Sequence, residues 1–422
     1  MGPLSGYAML RYFGFSELSD AVMQGTDRDP GGIIHFTLGS EWTVAARRLL
    51  IVVNNPAFFL SHRLPVALEA HRRGWDVHVA SPARPADAVA EIEAHGLRHH
   101  AFVLSRSGTN VFKELWSLVS LFRLYRSLRP DVVHHVTVKP LLYGGLAAWL
   151  AGARAVVAAV SGLGYVFTGD TPRHRLLRML VLPLYRAALG HPNVRVIFQN
   201  PDDLALLERL GVVSAKGSVM IRGSGVPLDE FHPGGGHLSD VPVVVLPARM
   251  LRDKGVVEFV EAARLLRERG HQARFVLVGG LDPANPAALT QDTLARWCRE
   301  GIVEWWGHRD DMATVLRDCR LVVLPSYREG LPRALLEAAA SGRAIIASDV
   351  PGCREIVRSG ENGLLVPARD SVALADAIGT LIDDPRRCLE MGRKGRLIAE
   401  SEFSVNEVVD RHLDVYERLL GG

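Results

Sequence analysis

Two basic side chains, Arg249 and Lys254, follow an apolar run with the composition of a buried strand. The run VVVL at residues 243–246 continues as PARMLRDKG, so both cations stand in the loop and first helical turn beyond the strand. Cations placed there can clamp a diphosphate, because Arg forms bidentate hydrogen bonds with phosphate oxygens and Lys acts as a point charge. The alternative is a solvated basic loop, since pairs of basic residues are common on protein surfaces.

Two carboxylates, Glu329 and Glu337, follow another apolar run with seven residues between them. The segment LPSYREGLPRALLEA at residues 324–338 ends a strand, turns at Glu329 and the next glycine, and continues as a helix whose first turn suits Pro332. Such a turn directs free backbone N–H groups toward an anion. Glu337 has apolar neighbours, and a buried carboxylate requires a partner. That partner is either a ribose diol, which offers two donors, or an arginine such as Arg343.

Several common nucleotide and metal motifs are absent. The turn NNPAFF at residues 54–59 contains no glycine, Gly162-Leu163-Gly164 lacks the third glycine of a dinucleotide fingerprint, and no P-loop motif occurs. A dehydrogenase or a kinase is therefore disfavoured. The four cysteines have no zinc-type spacing, and the Asp pairs are typical of helix starts or loops. The sequence predicts neither a metal site nor a cofactor.

Short Val- and Ile-rich runs alternate with longer amphipathic stretches in both halves of the chain. Runs that are apolar at every position are buried on both faces, which indicates parallel sheets covered by helices. We predict an α/β fold with two doubly wound Rossmann-like domains facing each other across a cleft. The predicted strands are residues 50–53, 76–80, 131–137, 155–160, 194–199, 243–246, 274–278, 303–306, 321–324, 344–347 and 363–366. Predicted helices are residues 63–73 and 113–128, with others beginning near residues 256, 286, 310 and 331.

The chain divides into four predicted segments. Residues 1–46 are an aperiodic extension, either disordered or the product of a misassigned start, with Val44 as a candidate start codon. The first domain covers 47–235 and the second covers 236–405, and a Gly- and Pro-rich linker lies before this boundary. Residues 406–422 form a terminal helix with an apolar stripe.

Composition limits the class of protein. The 422 residues are 48% hydrophobic and 23% charged, which is typical of a globular protein, and the net charge of +3 argues against a nucleic-acid binder. Unpaired cysteine spacing favours a reducing compartment, hence the cytoplasm. No apolar run is long enough for a membrane span, and the N-terminus does not have the pattern of a signal peptide.

Residues 103–190 are distinctly basic, with 11 Lys and Arg against 3 Asp and Glu. Basic surfaces that also expose apolar side chains bind anionic membrane interfaces. We expect peripheral contact with a membrane here, although both helical stripes could instead face the core. One stripe lies in residues 176–189, and the other comprises Phe112, Leu115, Trp116, Val119, Phe122 and Tyr125.

These motifs together resemble the retaining glycosyltransferases of family GT4, which have the GT-B fold. The resemblance rests on Arg249-x4-Lys254 and Glu329-x7-Glu337, and it extends from Leu49 to about Pro385. Further segments resemble the branch that assembles bacterial surface polysaccharides and lipid-linked oligosaccharides. They are NNPAFFLSHR (54–63), LSRSGTN (104–110), HHVTVKP (134–140), SGLGYVF (161–167), FQNPDD (198–203) and IRGSGV (221–226).

The resemblance implies a donor site in the second domain. Arg249 and Lys254 would bind the donor diphosphate and Glu329 the donor sugar, and these three are the expected catalytic residues. Glu337 would bind the ribose hydroxyls. The remaining donor-side residues are Gly330 and Leu331 near sugar and phosphate, and Arg309 near the base. Acceptor- or sugar-side residues are expected in the first domain, at Asn55, His62, Thr137, Lys139 and Gly164.

The resemblance further implies a reaction. A hexosyl or N-acetylhexosaminyl group would move from a nucleotide sugar, with UDP as the expected nucleotide, to a polyprenyl-diphosphate-linked or other glycan acceptor. The enzyme would work in the cytoplasm, at the inner face of the membrane, without a metal ion. Two alternatives stay open, namely a UDP-sugar 2-epimerase-like enzyme and a non-catalytic partner that binds a nucleotide sugar.

One position departs from the family pattern. Many GT4 members have a histidine after the strand at residues 155–160, whereas this chain has Ser161-Gly162. A catalytic histidine cannot be carried over to this position. Retention is usually explained by front-face attack, in which the leaving phosphate takes the acceptor proton, and that scheme requires no protein base. His62, His134 and His135 are expected to be structural or to contact substrate.

Overall fold

The computed structural model describes residues 46–104, 111–163, 167, 172–234, 241–283 and 285–421. The chain divides into two compact units, Met1–Ala46 and Arg47–Gly422, and all that follows concerns the second unit. The predicted extension, residues 1–46, lies almost entirely outside the described residues.

The first sheet is parallel and has seven strands within the described residues, in the order β3-β2-β1-β4-β5-β6-β7. Its central strands β4 and β5 are buried along their whole length, and β1 is buried after Arg48, as their Val and Ile content predicts. The strands are β1 (Arg48–Val52), β2 (Asp76–Ser81), β3 (Arg98–Ala101), β4 (Val132–Val136), β5 (Ala155–Val160), β6 (Val194–Phe198) and β7 (Ser218–Met220).

The second sheet is also parallel and has six strands over the same described ranges, in the order β10-β9-β8-β11-β12-β13. The two sheets confirm the predicted pair of doubly wound α/β domains. The strands are β8 (Val243–Pro247), β9 (Arg274–Val278), β10 (Glu304–Trp305), β11 (Leu321–Leu324), β12 (Ala344–Ser348) and β13 (Gly363–Val366). Domain boundaries at residues 235 and 405 stay predictions.

Helices cover the faces of both sheets. In the first domain they are α1 (Pro56–His62), α2 (Leu64–Arg72), α3 (Ala86–Ala94), α4 (Val111–Leu128), α5 (Gly145–Ala151), α6 (Pro172–Ala188) and α7 (Pro201–Arg209). A π-helical turn, Pro140–Gly144, precedes α5. The second domain has α8 (Val256–Glu268), α9 (Gln291–Arg299), α10 (Met312–Asp318), α11 (Arg333–Ala340), α12 (Pro351–Arg354), α13 (Ser371–Asp383) and α14 (Pro385–Glu402). Short 3-10 turns occur at Ala215–Gly217 and Arg252–Lys254.

Among the described residues, no helix has both the length and the apolarity needed to cross a bilayer.

The last helix, α15 (Val405–Leu419), returns to the first domain. Its buried face shares one apolar core with residues of β1, including Leu49 and Ile51. Tyr416 on this helix forms a 2.7 Å hydrogen bond with Nδ1 of His134 on β4. The chain therefore crosses from the second domain back to the first before it ends. The predicted apolar stripe on this helix, Val408, Leu413, Val415 and Leu419, is buried.

Strand order determines where a ligand can bind. In the first sheet β1 lies between β2 and β4, so successive connections run in opposite directions from this point, and β8 lies likewise between β9 and β11. In doubly wound sheets, ligands bind in the crevice beyond the carboxyl ends of the strands at such a switch point. Arg249 and Lys254 follow β8, and Glu329 and Gly330 follow β11.

Candidate active site

A cleft of about 660 Å³ separates the carboxyl ends of the two sheets. The first domain contributes residues that follow β5, and the second contributes residues that follow β8, β11 and β13. The lining residues are Ser161, Gly162, Leu163, Arg249, Asp253, Tyr327, Arg328, Glu329, Gly330, Pro351 and Arg369. Of the expected site residues, Arg249, Glu329 and Gly330 therefore line one cavity.

Lys254 is joined to this cavity through Glu329. Its Nζ lies 2.5 Å from Glu329 Oε1, and the two side chains are 23% and 11% exposed. The next residue, Gly255, starts α8 at φ +72°, and a Cβ there would lie 2.1 Å from the Pro325 carbonyl oxygen. Only glycine fits so close to the β11 loop. This contact holds the Lys254 turn against the loop that carries Glu329.

Arg249 lies on the same side of the cleft. Its Nη1 donates to Asp282 Oδ2 over 2.6 Å, and its side chain is 52% exposed. A second link joins the loops, because the Tyr327 backbone N–H donates to the Asp253 carbonyl oxygen over 2.9 Å. Each cation thus has a carboxylate partner, and one member of each pair, Arg249 or Glu329, lines the cleft.

Gly330 meets the first domain directly. A Cβ at Gly330 would lie 2.4 Å from the carbonyl oxygen of Ser161, so no larger residue fits without displacement of the backbone. Ser161 and Gly162 follow β5, where the family resemblance would place a histidine. The Gly330 carbonyl also accepts a hydrogen bond of 2.9 Å from Asn200 Nδ2, just beyond β6.

Glu337 is buried on α11 and paired with an arginine on the same helix. Arg333 Nε donates to Glu337 Oε1 over 2.6 Å, and Arg333 also donates to the Ser61 carbonyl at the end of α1. Burial raises the pKa of Glu337, and the charge of Arg333 opposes this rise. The alternative of an arginine partner is therefore confirmed, but the arginine is Arg333 and not Arg343, whose guanidinium donates to the carbonyls of Ser341 and Cys319.

Leu331 and Arg309 lie outside the set of residues that lines the cleft. Leu331 packs toward the interdomain linker, where a Cβ on Gly223 would lie 2.4 Å from its Cδ2. Arg309 follows β10, is 42% exposed, and forms two hydrogen bonds of 2.7 and 2.5 Å with Asp311. Contact between Arg309 and a nucleotide base stays a prediction.

Asn55 and His62 mark the two ends of α1 in the first domain. Asn55 caps the helix, since its side-chain oxygen accepts from the Ala57 N–H over 3.0 Å. The His62 ring stacks on Phe58 with centroids 4.1 Å apart. Burial, with the nearby charge of Arg63, lowers the pKa of His62 to about 3, so the ring is neutral at physiological pH.

Thr137 and Lys139 follow β4, beside the first-domain switch point. Thr137 has φ +73°, which is unusual for a β-branched residue and typical of strained functional positions. Lys139 Nζ lies 2.6 Å from Glu114 Oε1 on α4, and both side chains are largely buried. The remaining expected residue, Gly164, lies outside the described residues.

Sequence reasoning did not select Asp253, Tyr327, Arg328 or Arg369 as site residues. The Arg369 guanidinium lies over the Tyr327 ring, 4.4 Å from its centroid, and the Tyr327 hydroxyl donates to Glu258 over 2.6 Å. Both Tyr327 and Arg369 follow strands of the second sheet. The rule that ligands bind at carboxyl ends could therefore have identified them from the predicted strands.

Two family models match the chain. The model described as Glycosyl transferase 4-like matches residues 48–200, and the model described as Glycosyl transferases group 1 matches residues 241–384. The chain is 29% identical over 382 residues to N,N'-diacetylbacillosaminyl-diphospho-undecaprenol alpha-1,3-N-acetylgalactosaminyltransferase of Campylobacter jejuni, with 86% of this chain and 98% of that protein covered.

A second relative and a solved structure agree with these matches. UDP-Gal:alpha-D-GlcNAc-diphosphoundecaprenol alpha-1,3-galactosyltransferase of Escherichia coli is 26% identical over 319 residues, covering 73% of this chain and 80% of that protein. Sucrose-phosphate synthase from Thermosynechococcus elongatus superimposes with a TM-score of 0.73 at 22% identity, covering 88% and 99% of the two chains. The chain therefore belongs to the GT4-like glycosyltransferases and has the GT-B fold.

Proposed function

We propose that this glycosyltransferase moves a hexosyl or N-acetylhexosaminyl group, with retention, from a UDP-sugar to a polyprenyl-diphosphate-linked glycan in surface polysaccharide biosynthesis. The observation that carries the proposal is the cleft, which Arg249 and Glu329, the partner of Lys254, line together with residues that follow β5. Both named relatives act on undecaprenol-diphosphate-linked acceptors, and the Escherichia coli relative uses UDP-galactose.

The charges of the cleft suit departure of a diphosphate. Cleavage of the bond between the anomeric carbon and the phosphate oxygen places negative charge on the leaving group, where Arg249 and Lys254 would stabilise it. Both cations are now paired with carboxylates, so the diphosphate would replace Asp282 and Glu329 as their partner. Once released from Lys254, Glu329 could accept hydrogen bonds from hydroxyl groups of the donor sugar.

Retention is assigned to front-face attack. The acceptor oxygen bonds to the anomeric carbon on the side that the diphosphate leaves, and the acceptor proton passes to a phosphate oxygen of that leaving group. This scheme assigns no step to a protein base or to a metal ion. His134 and His135, which follow each other on β4, are fully buried and hydrogen-bonded to Tyr416 and Tyr125.

The remaining assignments divide between the domains. Glu337 would bind the ribose diol, the backbone near Leu331 the phosphate and sugar, and Arg309 the base. On the acceptor side, Asn55, His62, Thr137, Lys139 and Gly164 would contact the acceptor or the transferred sugar. The described members of this second group lie at or near the carboxyl ends of β1 and β4.

The ribose assignment is tested by Glu337→Gln. Loss of a charged acceptor for two hydroxyl donors should weaken UDP binding about 10- to 100-fold, since hydrogen bonds to charged groups contribute about 1.5–3 kcal/mol. Calorimetry would compare UDP with 2′,3′-dideoxy-UDP, which the variant should no longer distinguish. Glu390→Gln, at an exposed residue of α14, is the control. UDP binding equal to wild type would refute the assignment.

The reaction is tested by calorimetry and by release of diphosphate. We expect UDP to bind more tightly than GDP, and UDP release from a UDP-sugar to require an undecaprenyl-diphosphate-linked sugar. Conversion of the UDP-sugar to its epimer without net release of UDP would instead favour an epimerase-type enzyme, and binding without any turnover a non-catalytic partner. Failure of both nucleotides to bind would reject the site.

We propose further that the enzyme works at the cytoplasmic face of an anionic membrane. Large apolar side chains are exposed on α4, α5 and α6, within the basic segment 103–190. The guanidinium of Arg123 lies over the ring of Trp116, 5.8 Å from its centroid. The exposed residues are Phe112, Leu115, Trp116, Trp149, Leu150, Leu176, Met179, Leu180 and Leu184.

Co-sedimentation with vesicles tests this surface. Wild type should sediment with phosphatidylglycerol vesicles at low salt and less with phosphatidylcholine vesicles, because the basic segment favours anionic lipid. The double variant Leu115→Gln/Met179→Gln should sediment less. Leu397→Gln, at a 64% exposed leucine on α14, should behave as wild type. Wild type that stays in the supernatant with anionic vesicles would refute membrane contact.

A further inference from the structure

The loop that carries Glu329 is held from the opposite domain. Arg328 precedes Glu329, and its Nη2 donates to Asp203 Oδ1 on α7 over 2.8 Å. Its Nη1 donates to the Phe167 carbonyl, also in the first domain, over 3.0 Å. The side chains of Arg328 and Asp203 are 24% and 4% exposed, so this ion pair is largely shielded from solvent.

A second anchor stands on the other side of Glu329. Asn200 is fully buried, and its Nδ2 donates to the Gly330 carbonyl over 2.9 Å and to Asp203 Oδ2 over 3.1 Å. Its Oδ1 accepts from the Asp203 N–H over 2.8 Å, which caps α7. The cap therefore fixes the side chain of Asn200, and Asn200 in turn fixes the Gly330 backbone. Both neighbours of Glu329 are bound to the start of one first-domain helix.

This arrangement is better suited to position the loop than to stabilise the fold. Burial of two charges costs solvation free energy that their attraction only partly returns, so buried ion pairs contribute little net stability. Burial raises the pKa of Asp203, and the charge of Arg328 opposes that rise. The loop also has little room to move toward the first domain, because Gly330 lies directly against the Ser161 carbonyl.

We propose that Arg328, Asp203 and Asn200 form an interdomain clamp that positions Glu329 for its contact with the donor sugar. The clamp residues act through Glu329 and are positioning residues. The donor nucleotide itself would be held by Arg249, Lys254 and Glu337 of the second domain. The clamp therefore couples the chemical step, more than nucleotide binding, to the contact between domains. This inference rests on the proposed transferase function.

The test compares Asp203→Asn with Asp202→Asn, a change at the exposed preceding residue of α7. Asp203→Asn should lower kcat about 10- to 100-fold, because small displacements of catalytic groups have effects of that size. The dissociation constant of UDP should stay near the wild-type value, whereas the melting temperature should fall, because loss of the Asp203 carboxylate leaves the Arg328 charge buried without its partner. Arg328→Lys keeps the positive charge but loses the two separate guanidinium donors, and it should retain more activity than Arg328→Ala. The double variant Arg328→Ala/Asp203→Ala should be no slower than the slower single variant.

Two readouts separate the clamp from the function on which it rests. Small-angle scattering of the free protein should give a larger radius of gyration for Asp203→Asn than for Asp202→Asn, whether or not transfer is detected. Equal radii and equal kcat for these variants would overturn the clamp. A loss of UDP affinity as large as the loss of kcat would also overturn it, since it indicates a purely structural role. Absence of transfer by the wild type would reject the proposed function separately.

Discussion

At the scale of single residues, a positive and a negative side chain are paired beside the cleft. The Lys254 ammonium and the Glu329 carboxylate are 2.5 Å apart and largely buried, so each lowers the electrostatic cost of the other. A diphosphate that takes Lys254 as its partner would leave Glu329 as an acceptor directed at the sugar. The pair can thus keep both groups in place before the donor arrives.

Replacement of Lys254 by alanine tests this pair. We expect Lys254→Ala to lower kcat about 10²- to 10³-fold, because a preorganised group facing the leaving group has an effect of that size. Steady-state kinetics with a UDP-sugar would measure the loss. The control is Arg252→Ala, at an exposed residue of the same 3-10 turn, which should keep wild-type kinetics. Unchanged kcat in Lys254→Ala would remove this lysine from the reaction.

At the scale of elements, the sequence predicts best what is buried on both faces. The apolar runs of β1, β4, β5, β8, β11 and β12 are found as predicted. Strands β3 and β7 were not predicted, because they are short and β3 consists of Arg98, two histidines and Ala101, with its ends exposed. Both strands lack the apolar run from which β10 and β13, the outer strands of the second sheet, were predicted.

Helix α9 begins later than predicted, because the preceding backbone is hydrogen-bonded to a loop far away in the sequence. Pro286 suggested a helix start, whereas α9 begins at Gln291, capped by Thr290. The intervening backbone is bound to the β8 loop, since Arg252 N–H donates to the Ala287 carbonyl and Leu289 N–H to the Met250 carbonyl, each over 2.9 Å. These bonds support the loop that carries Arg249, and no local sequence pattern indicates them.

The residues of the candidate site likewise differ in how far the sequence predicts them. Arg249, Lys254, Glu329 and Gly330 could be predicted because each lies next to a recognisable strand. The contact between Arg328 and Asp203 could not be predicted, because it depends on how two domains meet, which a single sequence does not show. The pairing of Glu337 with Arg333, four residues apart on one helix, follows a local spacing that sequence reasoning missed.

The tight contact at Gly330 gives a prediction at this scale. Gly330→Ala should displace the β11 loop, since the new Cβ would lie 2.4 Å from the Ser161 carbonyl oxygen. We expect kcat to fall about 10²-fold through misplacement of Glu329. Gly217→Ala is the control, because its Cβ would meet its nearest neighbour, Ser214 Oγ, at 3.6 Å. Wild-type kcat in Gly330→Ala would mean that the loop can move away from Ser161 without loss.

At the scale of the whole molecule, α15 joins the last segment of the chain to the first sheet through buried polar groups. His412 is fully buried, donates from Nδ1 to the Val408 carbonyl over 2.7 Å, and has no partner at Nε2. Its ring lies 5.7 Å from that of His134 on β4. The guanidinium of Arg63 is buried nearby and opposes protonation of both rings. Protonation of either imidazole is therefore unfavourable while α15 is packed against the first sheet.

Acid should weaken this junction, with a sign that follows from the pKa shift. Burial lowers the pKa of His412 to about 3 from its ordinary 6.5, so between these values the unfolded chain binds the proton and the folded chain does not. The free energy of unfolding falls as pH decreases through that window, by about 1.4 kcal/mol per pH unit for each such histidine. The buried carboxyls of Asp203 and Glu337 act in the opposite sense, because burial raises their pKa values.

The informative quantity is therefore the difference in pH dependence of unfolding between variants. Urea unfolding at pH 4 to 7 should show a shallower loss of stability for His412→Leu than for wild type, whereas His71→Leu, at an exposed residue of α2, should keep the wild-type slope. Equal slopes for all three proteins would show that His412 does not carry the acid sensitivity of the junction between α15 and the first sheet.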